Sequence, residues 1–129
     1  MIYGIGSDIV KISRIKKIFD IYSDNFAIRI LLKEELIKFY ESNNKVRFLA
    51  MRFAAKEAIV KAMGTGLSKG IWLKDIGIDQ DDKGKPFVIF SDKGMKIKES
   101  LGIGSSYISL SDDDGLVVAF SVLMSLGKR

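Results

Sequence analysis

The chain has 129 residues, 47% of them hydrophobic, which bounds it to one small domain around a single core. Lys and Arg outnumber Asp and Glu by 21 to 16; the resulting charge of +5 suits acidic or phosphorylated partners, but it is too mild and too evenly spread to indicate nucleic acid. With no cysteine and no histidine, disulfides, thiolate or imidazole metal sites and Ser-His or Cys-His nucleophile pairs are excluded, leaving carboxylates, lysines, backbone amides or a metal ion for any chemistry.

Ile2 to Ile12 mixes Ile, Val and Tyr and predicts a strand, with one acid, Asp8, in its middle. Ser13 is placed to cap a helix whose stripe is Ile15, Ile18, Phe19 and Tyr22, with Arg14, Lys16 and Lys17 projecting as a basic patch. Phe26 to Leu32 is a short apolar segment of helical character. Lys33 to Tyr40 predicts another helix, with Leu36, Ile37 and Tyr40 inward. Ser42-Asn43-Asn44 is a turn and a cap for a long helix from Lys45 to Met63, stopped by Gly64. Ile71 to Asp79 predicts a strand, Asp81 to Gly84 a hairpin-like turn, and Pro86 to Phe90 the partner strand. Ser91 caps a predicted helix from Asp92 to Leu101. Strands at Ser106–Ser111 and Leu116–Leu123 follow, joined through the turn Asp112-Asp-Asp-Gly115. The order reads β-α-α-α-β-β-α-β-β, an α+β fold in a single domain over residues 1–129. No apolar run approaches the ~20 residues of a membrane span and the N-terminus has no signal layout, so no membrane segment is expected and the chain reads as cytoplasmic.

The long helix carries the most pointed signal, Arg52-Phe-Ala-Ala-Lys-Glu-Ala-Ile-Val-Lys-Ala-Met-Gly-Thr-Gly66. Glu57 and Lys61 lie one turn apart on one face, and Ala50 and Ala54 project almost the same way, so bulk is absent around the two charges. Phe48, Leu49, Phe53, Ile59, Val60 and Met63 gather on the other side, leaving the 57/61 face to solvent, ligand or another subunit. A carboxylate, an ammonium and turn amides together suit a phosphorylated ligand. The same spacing also describes an ordinary surface ion pair worth about 0.2–0.5 kcal/mol. Asp8 likewise has two readings: an exposed residue on an edge strand, or a metal ligand that with Glu57 supplies the one or two carboxylates Mg²⁺ commonly takes.

Gly4-Ile-Gly-Ser-Asp8-Ile-Val-Lys-Ile-Ser-Arg14-Ile, followed by the Arg52–Gly66 stretch, resembles the holo-[acyl-carrier-protein] synthase family of small 4′-phosphopantetheinyl transferases. The resemblance takes in the Gly84-Lys-Pro86 turn and the closing Ser109-Leu-Ser111 and Ala119-Phe120 strands, and so nearly the whole chain. It implies a long helix packed on a mainly antiparallel sheet, and a trimer with sites between subunits. It also implies a reaction of fatty acid biosynthesis: transfer of the phosphopantetheine arm of coenzyme A to a serine of apo acyl carrier protein, releasing 3′,5′-ADP. By the resemblance Asp8 and Glu57 hold a Mg²⁺ on the pyrophosphate. The base for the serine is then Glu57 or a water on the metal, and Lys61 steadies the phosphates. Lys45, Gly64, Thr65, Gly66, Lys85 and Pro86 are the implied contacts to the nucleotide end. Arg14, Lys17 and Phe26 match the surface on which an acidic carrier docks.

The chain departs from the family's pattern in places. Asp112 stands where the family usually has a histidine near the cofactor's phosphates, Asn25 where a basic residue is frequent, Met51 where glycine is common and Val117 where alanine is common. An acid beside phosphates repels them unless a cation mediates, which implies weaker coenzyme A binding; Asp112 as a base or extra metal contact, and Asp112 as simple turn chemistry, are the other readings. Two further functions stand beside the transferase: an impaired trimer that still binds coenzyme A or carrier protein, and a small basic nucleic-acid-binding module. The last explains the charge but not Asp8, Glu57 or the Gly-Thr-Gly turn.

Overall fold

The computed structural model describes residues 1–66 and 70–127. Along the chain run β1 (Ile2–Lys11), α1 (Ile12–Tyr22), α2 (Asp24–Ile30), α3 (Lys33–Glu41), α4 (Lys45–Met63), a 3₁₀ turn (Leu73–Asp75), β2 (Ile76–Gln80), β3 (Pro86–Phe90), α5 (Asp92–Ser100), β4 (Ile103–Asp113) and β5 (Leu116–Ser125). Among the described residues four α-helices precede β2; the expected order has three, although the Phe26–Leu32 segment is itself expected to be helical, and it is found as α2. Ser23 takes a positive φ of 50°, which parts α2 from α1. β1, β5 and β4 form an antiparallel sheet in that order, and β2 and β3 pair in a second one.

The fold is built around α4. The Asn44 side chain accepts a hydrogen bond from the Arg47 amide, and Gly64, at φ 76°, takes the left-handed conformation that ends the helix. Its apolar residues show no single stripe because almost every face is covered. Ala50, Ala54, Ala58 and Ala62 are buried, so the small residues expected to clear space around Glu57 and Lys61 are core contacts instead. β1 comes down directly on them. A Cβ on Gly4 would lie 2.0 Å from the Ala62 carbonyl oxygen, and one on Gly6 the same distance from that of Ala58. Strand and helix backbones therefore touch, and only glycine permits it.

Several boundaries differ from the sequence expectation for identifiable reasons. α1 starts at Ile12 without a side-chain cap from Ser13; the Ile12 amide donates instead to the Gly115 carbonyl at 2.9 Å. The expected strand from Ile71 begins only at Ile76, because the Asp75 side chain accepts from the Trp72 amide (2.9 Å) and from the Ser91 hydroxyl (2.9 Å) and bends the chain. β4 runs on to Asp113, and the turn to β5 shrinks to Asp114-Gly115, both at positive φ (49° and 77°).

α3 is rotated from the expected register. Ile37 and Tyr40 face water, whereas Glu35 and Phe39 are buried. Phe39 sits in an aromatic cluster, its ring centroid 6.1 Å from Phe19 and 6.0 Å from Phe48. Glu35 has been drawn in by two cations from α4. Lys56 Nζ lies 2.5 Å from one of its oxygens, and Arg52 Nε 3.2 Å from the other. The amides of Leu32 and Ile78 also donate to Glu35, and Lys56 donates to the Ile30 carbonyl. This buried cluster ties the end of α2, the start of α3 and β2 to one turn of α4. Burial pushes the Lys56 ammonium down to about 8, against the opposing pull of Glu35.

Candidate functional site

Asp8 lies on the inner face of β1 with Gly6 and Val10, opposite Ala119 of β5. Its side chain is only 15% exposed, so it is not a solvated edge residue. Lys61 reaches up from α4 and donates to Asp8 Oδ1 and to the Ser7 carbonyl, both at 3.0 Å. Glu57, one turn earlier on the helix, is half-buried. Burial raises its pKa first and the negative charge of Asp8 adds to that, while Lys61 and Arg14 oppose the shift. Four charged side chains from β1, α1 and α4 thus share one field, and the tight Gly4/Gly6 packing sets their spacing. Beyond Lys61, the turn Gly64-Thr65-Gly66 puts both glycines at positive φ, with open space where each Cβ would stand. The Thr65 hydroxyl donates to the Gly66 carbonyl at 3.1 Å.

Two hard oxygen donors held close enough for one charge to raise the proton affinity of the other suit a divalent cation, which would relieve that repulsion. Among the described residues no cluster of three or more His, Cys, Asp or Glu could hold a metal. Asp8 and Glu57 would therefore leave the remaining positions to waters and phosphate oxygens, the usual arrangement for Mg²⁺.

Apart from Arg14, whose charge reaches Glu57, and the Gly64–Gly66 turn, the other sequence-predicted site residues lie away from this trio within one copy of the chain. Lys45, at the start of α4, donates to the Ser42 carbonyl at 3.0 Å and stands 5.7 Å from the Phe39 ring centroid. Asp112, at the far end of β4, is paired with Arg47, ten residues and roughly 15 Å of helix before Glu57. Lys85 and Pro86 belong to the β2–β3 hairpin, where the Lys85 amide donates to Asp81. Arg14 and Lys17 are exposed on α1, and the Phe26 ring packs 6.3 Å from that of Phe53, one turn before Glu57. Ile18, Tyr22, Asn25, Phe26, Ile28 and Arg29 line a furrow beside them.

Sequence reasoning missed Arg47. The available signal was its place in the first turn of α4, where the helix dipole disfavours a cation unless an acid answers it from elsewhere. It also missed Glu35, which looks like an ordinary helix-surface acid in sequence.

A family model described as the 4′-phosphopantetheinyl transferase superfamily matches residues 4–120. The chain is 42% identical over 124 residues to a holo-[acyl-carrier-protein] synthase of Vibrio campbellii, covering 96% of this chain and 98% of that one. The crystal structure of the holo-[acyl-carrier-protein] synthase of Neisseria meningitidis matches it with a TM-score of 0.92 at 42% identity, over 97% of this chain and all of that one. A holo-(acyl-carrier-protein) synthase of Bacillus anthracis, solved in complex with CoA (3′,5′-ADP), matches with a TM-score of 0.80 at 37% identity, over 97% and 98% of the two chains.

Proposed function

The chain belongs to the 4′-phosphopantetheinyl transferase superfamily, among the holo-[acyl-carrier-protein] synthases, and from that premise we infer that it moves the phosphopantetheine arm of coenzyme A onto a serine of apo acyl carrier protein, releasing 3′,5′-ADP. The observation that carries the reading is the Lys61–Asp8 ion pair with Glu57 one helical turn away in the same field, just before the Gly64–Gly66 turn. The cysteine-free composition fits the cytoplasm, where we place the reaction.

In this reading Asp8 and Glu57 hold the divalent cation. When bound, Mg²⁺ neutralises charge on the pyrophosphate and orients it. Glu57, half-buried beside Asp8 in a chain with no imidazole, is the carboxylate placed to serve as base for the serine hydroxyl. The serine oxygen bonds to the phosphorus that carries the pantetheine arm, the bond from that phosphorus to the 3′,5′-ADP oxygen breaks, and the serine proton passes to Glu57. Lys61 meets the charge that gathers on the departing 5′-phosphate oxygen of 3′,5′-ADP, and the Gly64–Gly66 turn, with open space where a Cβ would stand on either glycine, leaves phosphate oxygens room to approach.

We further infer a homotrimer with sites completed between copies. The outer face of the three-stranded sheet exposes Ile5, Ile9, Tyr107, Val118 and Phe120, an apolar patch suited to another copy of the chain. Shared sites also accommodate the scatter of Lys45, Lys85, Pro86 and Asp112 away from the Asp8 trio. The impaired-binder reading drew on a bare Asp112 charge, and Arg47 engages both oxygens of that carboxylate.

The test is to incubate the chain with coenzyme A, Mg²⁺ and apo carrier protein and to weigh the carrier. A gain of the phosphopantetheine mass is expected; coenzyme A binding without that gain would instead favour the impaired trimer.

A further inference from the structure

Trp72 is the only tryptophan in the chain, and it stands 51% exposed beside Ile28, exposed to the same degree. Its backbone builds the local turn: the Trp72 amide donates to Asp75 Oδ2, and its carbonyl accepts from the Asp75 amide. An indole is not required for that turn, and leaving one in water forfeits a large burial gain.

The surroundings indicate what covers it. Ile28, Arg29, Ile30, Trp72, Leu73 and Lys74 line a second furrow. Ile28 and Arg29 also line the furrow beside Phe26, so the two join into one trough from α1 across α2 to the 3₁₀ turn. Among the described residues no acid lines either part, while Arg29 and Lys74 edge it with positive charge. The Phe26 end leads through Phe53 to Glu57 on the same stripe of α4. A partner seated there with its serine at Glu57 has its next surface over Ile28 and Trp72.

We propose that Trp72, with Ile28 and Lys74, forms a second footing for the acidic carrier protein, beyond Arg14, Lys17 and Phe26. The inference rests on the transfer reaction proposed above. Trp72 supplies the rigid aromatic anchor typical of interface hot spots, and Lys74 and Arg29 supply matching charge at the rim.

The test uses the tryptophan as its own reporter. Titrating the full chain with an apo carrier that lacks tryptophan shifts the Trp72 emission to the blue and saturates. Trp72→Ala raises KM for the carrier about tenfold while KM for coenzyme A and kcat stay at wild-type values. Lys74→Glu, a substitution on an exposed side chain, raises carrier KM as well, and more so at low salt. Normal transfer by the wild type, a carrier KM within about twofold for Trp72→Ala and an unmoved emission would overturn the footing. If the wild type modifies no carrier, the transfer reading falls, and the emission titration decides the footing alone: a saturable shift supports it and none refutes it.

Discussion

Arg47 clasps Asp112 across 65 residues of sequence, its Nε 3.0 Å from Oδ2 and its Nη2 2.9 Å from Oδ1. The hydrogen bonds hold the Asp112 carboxyl below its ordinary range and push the guanidinium above its own. At the position where the family usually places an imidazole, this chain presents an acid already matched to a cation. If that position faces coenzyme A phosphates, as the resemblance implies, Arg47 makes the acid tolerable. Arg47→Gln should then raise KM for coenzyme A severalfold by baring the carboxylate, and adding Asp112→Asn should recover most of the loss. Strictly additive effects across that double-mutant cycle would remove the pair from the nucleotide site.

Glu57→Gln keeps the shape of the side chain but loses both its affinity for a divalent cation and its basicity. The carrier-mass assay should show kcat down by at least about 100-fold with the thermal midpoint unchanged. Turnover near wild type would show that the base lies elsewhere.

Gly6→Ala places a methyl 2.0 Å from the Ala58 carbonyl oxygen and 2.7 Å from the Ala62 amide nitrogen, both backbone atoms in a buried helix. β1 must lift off α4, so urea titration should report a loss of at least about 2 kcal/mol. Asp8, two residues on, moves with the strand, and transfer should fall with stability. A wild-type denaturation midpoint would mean that strand and helix do not pack this closely.

The Lys56 ammonium gives a pH signature. Its folded pKa, about 8, lies below the ordinary 10.5, so between those values the unfolded chain holds a proton that the folded chain has released. Unfolding then takes up a proton, and this group's contribution to stability rises with pH across the window, by up to about 3 kcal/mol. Measured against Lys56→Met, which lacks the titrating group, wild type should gain stability from pH 8 to pH 10. Parallel curves for the two proteins would refute the shift.

Phe120→Asp puts a charge in the middle of the outer sheet face, where Phe120 is 46% exposed. Light scattering should find a smaller species than the wild-type assembly, and transfer should drop with it because the proposed sites lie between copies. An unchanged mass would assign the trimer contact to another surface.

What could be read from sequence follows the range of each interaction. Asn44 and Gly64 mark the ends of α4 correctly because capping is local chemistry within a few residues. Ser91 caps α5 for the same reason, its hydroxyl accepting from the Gly94 amide. Glu57 and Lys61 share a face by helix geometry alone, but their meeting with Asp8 was indicated only by the family resemblance, since 53 residues separate Lys61 from Asp8. The inward turn of Glu35 and the clasp of Arg47 on Asp112 depend on partners supplied by other elements, which no local pattern encodes. The nearly complete burial of α4 was hidden for a related reason: its alanines read equally well as helix formers and as a surface cut to receive a strand.

The Ile12 amide hangs from the Gly115 carbonyl, so the hairpin tip fixes where α1 departs from β1. Asp114 and Gly115 hold none of the residues assigned to chemistry, yet a single insertion between them would swing α1 with its arginine and lysines like a misaligned jetty. A partner could still recognise that landing and deliver its cargo to the wrong place.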